Sequence, residues 1–568
     1  MKQKRKNNNA PLIEVHSVSF SYDRKNTGRA LNRVSFFVDR GERVAVLGHN
    51  GSGKSTLVKI LGGIIEPSEG TCSINGRDIQ SMDFSELRRS IGMVFQDPEN
   101  QIVAAIVEDD VAFAPENQGL PPDDIQLRVE TALAETDMLH KKDSPVEALS
   151  GGEKQRVALA GVLAADVECL ILDEPTAMLD PEARINIEKV LRYLHAEGMT
   201  VIQVTHQIEA ENFSDIQRVI VLSKGQVKWQ GNVSDFWNNA EDLGFTVPDS
   251  LKVKRYCDSH GLNIPGSFAD FNSRIIPPPL NSESTAKSLS VKFGIEALKF
   301  GYDNDNGNKE KKFALNGINA EIYSGEWLSI IGRTGSGKST LVQHFNALYK
   351  IQEGKIFFDG GELPQKGEEI YALRQKVGLV FQHPEDQLFS ANVRDELAFA
   401  PKNAGFKGKE LDDAVKYGLE CVSLSSNFLE RNPIALSGGE RRLVAIASVL
   451  AVKPECIVLD EPLAGLDASY QQKILAMLAK LRDEGRTVIT VTHDLNMALR
   501  YSDRILILRD GHSVKEGKPR EITDEIMRTS EPEAWPEILR ISADIRKFNP
   551  EFPLIFDYQE FIQCVSQI

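Results

Sequence analysis

Long apolar runs are missing from this 568-residue chain. No stretch reaches the roughly 18 uninterrupted apolar residues that a membrane-crossing helix needs, so the chain is expected not to span a bilayer. Cysteine is sparse and scattered: Cys72, Cys169, Cys257, Cys421, Cys456 and Cys564 form no Cys-x-x-Cys pair and have no histidine at metal-ligand spacing. That pattern excludes a disulfide framework and the usual zinc sites, and points to reduced thiols in a cytosolic setting. A positive balance is absent as well. With a formal net charge of −16, a nucleic-acid binder working through a broadly basic surface is disfavoured, although a local basic patch is compatible with it. The start, Met1 to Lys6, is basic, yet no apolar run follows, so residues 1–11 read as a solvated, disordered tail rather than a secretory signal. Length allows roughly two to four domains.

What is present is a repeat. Gly48, His49, Asn50, Gly51, Ser52, Gly53, Lys54, Ser55 and Thr56 return as Gly332, Arg333, Thr334, Gly335, Ser336, Gly337, Lys338, Ser339 and Thr340. Later landmarks keep nearly the same offset. Leu149 to Glu153 returns as Leu436 to Glu440, Leu170 to Pro175 as Ile457 to Pro462, and Val204 to His206 as Val491 to His493. The chain is therefore a tandem duplication, with units expected at 12–240 and 291–520. Between them a small helical extension is expected at 241–270 and a linker, rich in proline near Pro277, at 271–290. A second small extension is expected at 521–568. Within each unit, short apolar strands alternate with amphipathic stretches, which indicates an α/β fold with a mostly parallel sheet covered by helices.

The nine-residue loop has glycines where a Cβ would keep phosphate oxygens from the backbone N–H groups, and it follows apolar runs at Arg43 to Leu47 and Trp327 to Ile331. Lys54 and Lys338 would reach the β and γ phosphates, and the hydroxyls of Ser55 and Ser339 would ligate Mg²⁺. Four apolar residues ending in Asp-Glu describe a buried strand that delivers two carboxylates to the loop at its C-terminal end. Asp173 and Asp460 would hold Mg²⁺ through water, while Glu174 and Glu461 would orient the water attacking the γ-phosphate. His206 and His493 each end an apolar strand 32 residues after the glutamate, and the repeated spacing favours a γ-phosphate contact. Gln96 and Gln382, after Gly-x-Val-Phe strands, are candidates to touch both Mg²⁺ and the attacking water. Tyr22 and Tyr302 are candidates to stack on adenine, with plain packing the other reading.

Ser150, Gly151, Gly152 and Ser437, Gly438, Gly439 are the most discriminating group. A serine and two glycines before a helix make a second anion-binding turn. A unit that already owns one phosphate loop has no local use for another. Head-to-tail pairing of the units, each lending its turn to the γ-phosphate held by the other, is the expected geometry.

These residues resemble the ATP-binding-cassette (ABC) ATPases. The two phosphate loops look like Walker A, Gln96 and Gln382 like the Q-loop, and Leu149 to Glu153 with Leu436 to Glu440 like the signature. Asp173-Glu174 and Asp460-Glu461 look like Walker B with its catalytic glutamate, Leu179-Asp180 and Leu466-Asp467 like the D-loop, and the two histidines like the switch histidine. The resemblance implies two tandem P-loop domains, each with a helical signature subdomain and a small C-terminal extension, using ATP and Mg²⁺. The stretches Val94 to Gln101 and Val380 to Gln387, with Asp109 to Phe113 and Asp395 to Phe399, are similar to the ATPase subunits of energy-coupling-factor importers. That likeness implies an importer of a vitamin or other micronutrient, an integral membrane T subunit, a substrate-binding S subunit and a peripheral position on the cytoplasmic face of the membrane. Asp97, Glu99, Glu385 and Asp386 would then receive arginines of the T subunit, or be solvated acids. Arg442-Leu443 stands where the first unit has Gln155-Arg156, and Leu463 where it has Thr176, which leaves equal turnover at the two sites open. The rival reading is a soluble tandem-cassette translation factor acting on ribosomes, which such a proline-rich linker and two retained histidines disfavour.

Overall fold

The computed structural model describes residues 10–22, 28–176, 179, 181–206, 215–264, 290–302, 313–383, 387–530, 532 and 535–565. Most of the expected tail and linker, residues 265–270 of the expected extension, and Asp180, Glu385 and Asp386 lie outside the described residues. The chain divides into two compact units, residues 1–248 and 249–568.

In the first unit six strands form one sheet in the order Gln226–Asn232, Arg218–Ser223, Arg43–Leu47, Thr200–Thr205, Cys169–Asp173, Ile91–Val94. All neighbours are parallel except the outermost pair, Gln226–Asn232 on Arg218–Ser223. Arg43–Leu47 and Cys169–Asp173 are buried at every position, as expected of parallel strands covered on both faces. A second, antiparallel sheet is built on Ile13–Phe20, Leu31–Val38 and Glu69–Ile74. The second unit repeats both sheets, with the order Val377–Val380, Cys456–Asp460, Thr487–Val491, Trp327–Ile331, Arg504–Arg509, His512–Gly517 in the larger. The expected mostly parallel core sheet is thus present twice.

Beside each larger sheet lies a helical layer. Val107–Asn117, Pro122–Glu135 and Gly151–Ala164 share a core around Val111, Leu133 and Val157. Val393–Asn403, Lys409–Cys421 and Gly438–Leu450 do so around Leu397, Leu419 and Val444.

The interiors solve one position differently. Arg43 is fully buried and donates to Glu188 Oε2 at 2.7 Å and Gln203 Oε1 at 2.8 Å. At the matching place the second unit uses Trp327, whose Nε1 donates to Thr490 Oγ1 at 3.0 Å. A buried charge persists only when paired, so the first solution ties three residues to each other while the second relies on apolar area.

The expected extension 241–270 divides at Pro248. Phe245 and Val247 are buried with the first unit, whereas Asp249–Ser259 is the first helix of the second. There Val253 and Cys257 join Ile538, Ile545, Phe552 and Phe561 of the C-terminal segment in one small core.

Candidate nucleotide sites

Each phosphate loop connects a buried parallel strand to a helix, Lys54–Leu61 or Lys338–His344. The glycine before each helix is left-handed, Gly53 at φ 102° and Gly337 at φ 97°, and an added Cβ would strike the carbonyl oxygen of Ala30 or Ala314 at 2.5 or 2.4 Å. Only glycine fits both demands. Lys54 Nζ donates to the carbonyls of Gly48 at 2.8 Å and His49 at 3.3 Å, and Lys338 Nζ to those of Gly332 at 2.8 Å and Arg333 at 3.0 Å. The loop is therefore curled around its lysine. Inside it, the hydroxyls of Ser52 and Ser336 are buried with no hydrogen-bond partner among the described residues. A buried donor left unmade costs about 1–3 kcal/mol, which a phosphate oxygen would recover.

The carboxylates arrive as the strand pattern predicts. Asp173 and Asp460 end their strands, each hydrogen-bonded to the serine after the loop lysine, Ser55 or Ser339. Burial pushes the Asp173 carboxyl up to about 6 against the hydrogen bond from Ser55, and Asp460 is raised by burial in the same way. In both units the Oδ1 oxygen is buried with no partner among the described residues. A hydroxyl and a carboxylate with one orphaned oxygen form a hard oxygen donor pair, which fits Mg²⁺ with its water shell.

Glu174 lies 3.6 Å from Lys54 Nζ and 3.0 Å from His206 Nδ1. Burial works against its charge, but the hydrogen bond and charge of His206, with Lys54, outweigh that and hold the carboxyl below its ordinary range. Glu461 meets His493 Nδ1 at 2.8 Å. Each glutamate therefore has a histidine fixed to it, and lysine, serine, aspartate, glutamate and histidine converge at the C-terminal end of the parallel strands. Such a group can hold a nucleoside triphosphate and position a water.

The remaining expected residues surround this centre. Tyr22 and Tyr302 are 64% and 47% exposed, with their hydroxyls tied to Thr56 Oγ1 at 3.3 Å and Thr340 Oγ1 at 2.9 Å. Both rings are accessible, and each also meets the phenylalanine two residues before it edge to face, Phe20 at 4.9 Å or Phe300 at 5.2 Å. Gln96 is half-buried and Gln382 exposed, each just past a strand that pairs with the Asp-Glu strand. Asp97 caps its own turn through Glu99 N at 3.0 Å, and Glu99 pairs with Lys154.

Ser150 and Ser437 head the helices Gly151–Ala164 and Gly438–Leu450 in the helical layers, where each forms a reciprocal capping box with Glu153 or Glu440. That is a local use for the serine which the sequence reading missed. The two glycines separate clearly. A Cβ on Gly152 would meet Ala183 Cβ at 2.5 Å, and one on Gly439 the Tyr470 ring at 2.8 Å, whereas Gly151 and Gly438 have nothing within 4 Å. Packing explains the second glycine of each pair and leaves the first open to an approaching ligand.

Three features escaped the sequence. Glu174 and Glu461 are left-handed, with φ 49° and 47°, each N–H donating to the neighbouring strand at Val204 O, 2.8 Å, or Val491 O, 2.9 Å. A non-glycine residue held there stores strain of about 1–3 kcal/mol, which the surrounding structure must over-determine. Gln101 braces the strand before Gln96 by accepting from Phe95 N at 3.1 Å and donating to Met93 O at 3.1 Å. Finally, Gln155 donates to Phe95 O at 3.2 Å, while its counterpart Arg442 donates to Glu461 O at 3.1 Å. One helix position thus steadies the glutamine strand in the first unit and the glutamate in the second.

Two parallel-sheet domains with paired phosphate loops, Asp-Glu strands and glycine-led helices define tandem nucleotide-hydrolysing cassettes. The family model described as ABC transporter matches residues 31–177 and 315–464, and the chain belongs to that family. It is an ATP-binding ATPase with two cassettes in one polypeptide. A protein of Methanosarcina acetivorans, provisionally described as an ABC transporter ATP-binding protein, is 30% identical over 98% of this chain and 94% of its own length. One of the same description from Caldanaerobacter subterraneus subsp. tengcongensis is 31% identical over 98% and 99%. Among solved structures, cbiO1 from Clostridium perfringens, part of the ABC transporter complex cbiONQ, matches with 31% identity and a TM-score of 0.39, covering 46% of this chain and 96% of that one.

Proposed function

We propose that this chain energises an energy-coupling-factor type importer of a vitamin or other micronutrient, from the cytoplasmic face of the cell membrane. Its two cassettes clamp two Mg²⁺–ATP between them head to tail, Ser150-Gly151-Gly152 completing the Lys338 site and Ser437-Gly438-Gly439 the Lys54 site. Within each site Glu174 or Glu461 orients the attacking water, His206 or His493 holds that glutamate and reaches the γ-phosphate, and Gln96 or Gln382 reports occupancy. Ser55 with Asp173, and Ser339 with Asp460, would hold Mg²⁺, which neutralises charge developing on the phosphates when bound.

A single observation carries the transport reading. Seven and seventeen residues after each Q-loop glutamine stands an exposed apolar side chain, Val103 and Phe113 in the first unit, Phe389 and Phe399 in the second, all 47–65% exposed. Phe389 and Phe399 meet edge to face with centroids 4.8 Å apart. The loop bearing the first of each pair is pinned by a buried acid. Asp110 Oδ1 accepts from Val103 N at 2.7 Å, and Glu396 Oε2 from Phe389 N at 3.1 Å. Exposed apolar side chains on a hydrogen-bonded loop and helix that follow the nucleotide sensor in sequence suit a helix offered by a membrane subunit. Among the described residues no helix is long and apolar enough to cross a membrane itself, so T and S subunits would supply the pathway. Affinity purification from detergent-solubilised membranes tests this. Recovery with a multi-spanning protein and a small integral membrane protein is expected. Recovery with ribosomes and no integral membrane protein would replace transport with the translation-factor reading.

A further inference from the structure

The phosphate loop of the first unit is gripped from outside. The His49 ring stacks on Phe245, with centroids 5.2 Å apart and planes 10° from parallel. Phe245 is buried and leans edge-on to Phe236 at 5.7 Å, which in turn tilts against Trp229 at 5.8 Å and Trp237 at 5.1 Å. The segment is no loose tail. Its turn is closed by Leu243 N to Asn239 O at 3.0 Å, Gly244 N to Glu241 O at 3.0 Å and Phe245 N to Ala240 O at 2.8 Å. Gly244, at φ 90°, runs so close that an added Cβ would sit 3.2 Å from His49 Nε2.

His49 is also part of the lysine cradle. Its carbonyl accepts from Lys54 Nζ at 3.3 Å and from Ser52 N at 3.1 Å. Whatever fixes the ring of His49 therefore fixes one of the oxygens that steer the lysine. In the second unit the same place holds Arg333, whose carbonyl receives Lys338 Nζ at 3.0 Å and whose side chain has no imidazole to stack.

We propose that Phe245 is a positioning residue for ATP at the Lys54 loop, holding His49 and passing loop occupancy through Phe236 to Trp229 and Trp237. This rests on the reading of Gly48 to Thr56 as an ATP loop, and it gives the first site a control that the second builds differently. The ring pair is of a size to change affinity about tenfold.

The test is calorimetric ATP binding to the full-length chain carrying Lys338→Ala, which leaves the first loop to be read, together with tryptophan fluorescence. Phe245→Ala should weaken ATP binding about tenfold and abolish the ATP-induced fluorescence change, and Phe245→Tyr, which restores a stacking ring, should return both to within twofold. The Trp229→Phe/Trp237→Phe pair should lose the signal while keeping affinity. Should Phe245→Ala fail to fold, His49→Ala removes the other half of the stack, and Phe245→Leu added to it should cost nothing more, because coupled residues do not add. Affinity within twofold of the parent in Phe245→Ala, or fully additive losses in the pair, would overturn the proposal. A Lys338→Ala chain that binds no ATP at all would instead remove the loop assignment beneath it.

Discussion

Replacing Gly151 and Gly438 together by aspartate should move stability and catalysis in opposite directions. Both glycines are the first residue of a helix and adopt no left-handed conformation, and nothing lies within 4 Å of an added Cβ. Loss of glycine's backbone entropy and a carboxylate in the first helical turn should therefore stabilise each unit by about 0.5–1 kcal/mol. If each turn closes over a γ-phosphate held by the other cassette, the same carboxylates place an anion against an anion and block its approach to backbone N–H groups. Removing one such donor typically costs about a hundredfold in rate, about 2.7 kcal/mol, and both sites lose it here. Urea unfolding of the apo chain and steady-state hydrolysis of saturating Mg²⁺–ATP measure the two quantities on one preparation. Turnover within threefold of the parent, with unfolding unchanged or improved, would refute the role given to these turns.

The Glu174→Gln/Glu461→Gln chain should keep ATP binding and lose hydrolysis by a hundredfold or more; a rate within tenfold of the parent in a phosphate-release assay contradicts the positioning role. Arg43→Met should destabilise the first unit by about 3–5 kcal/mol by leaving the buried Glu188 with Gln203 but without its counter-charge, and adding Glu188→Leu should recover most of the loss in urea melts. Glu153 gives a pH signature. Burial opposes its charge, yet bonds from Lys141 and from the N–H and hydroxyl of Ser150 outweigh it and pull the carboxyl to about 2. With the folded value below the unfolded value of about 4.3, the ion contributes stability above that pH and loses it as pH falls through about 2. Glu153→Gln should therefore cost about 1–2 kcal/mol at pH 6 and a small fraction of that near pH 2, and a difference constant with pH would count against the linkage.

The catalytic framework was legible because phosphate chemistry dictates residue type and spacing together. Lys54, Asp173, Glu174 and His206 could be placed from the order of apolar strands, and their return in the same order and at nearly the same offset as Lys338, Asp460, Glu461 and His493 made chance a poor explanation. What stayed hidden depends on contacts distant in sequence or on backbone angle. The left-handed φ of Glu174 and Glu461 leaves no mark in an Asp-Glu-Pro string. Nor does a string show that Gln155 and Arg442, at one helix position, reach different loops, or that Asp249–Ser259 folds against a helix almost 300 residues later. The capping boxes of Ser150 and Ser437 were hidden for another reason: one Ser-x-x-Glu pattern serves both helix initiation and phosphate capture. Only the empty space beside the first glycine, against the crowded second, separates those uses.

The most direct measurement is a crystal structure of the Glu174→Gln/Glu461→Gln chain grown with Mg²⁺–ATP. Two nucleotides are expected, one between the Lys54 loop and Ser437-Gly438, the other between the Lys338 loop and Ser150-Gly151. ATP enclosed by the residues of a single cassette, with both serine-glycine turns facing solvent, would contradict it.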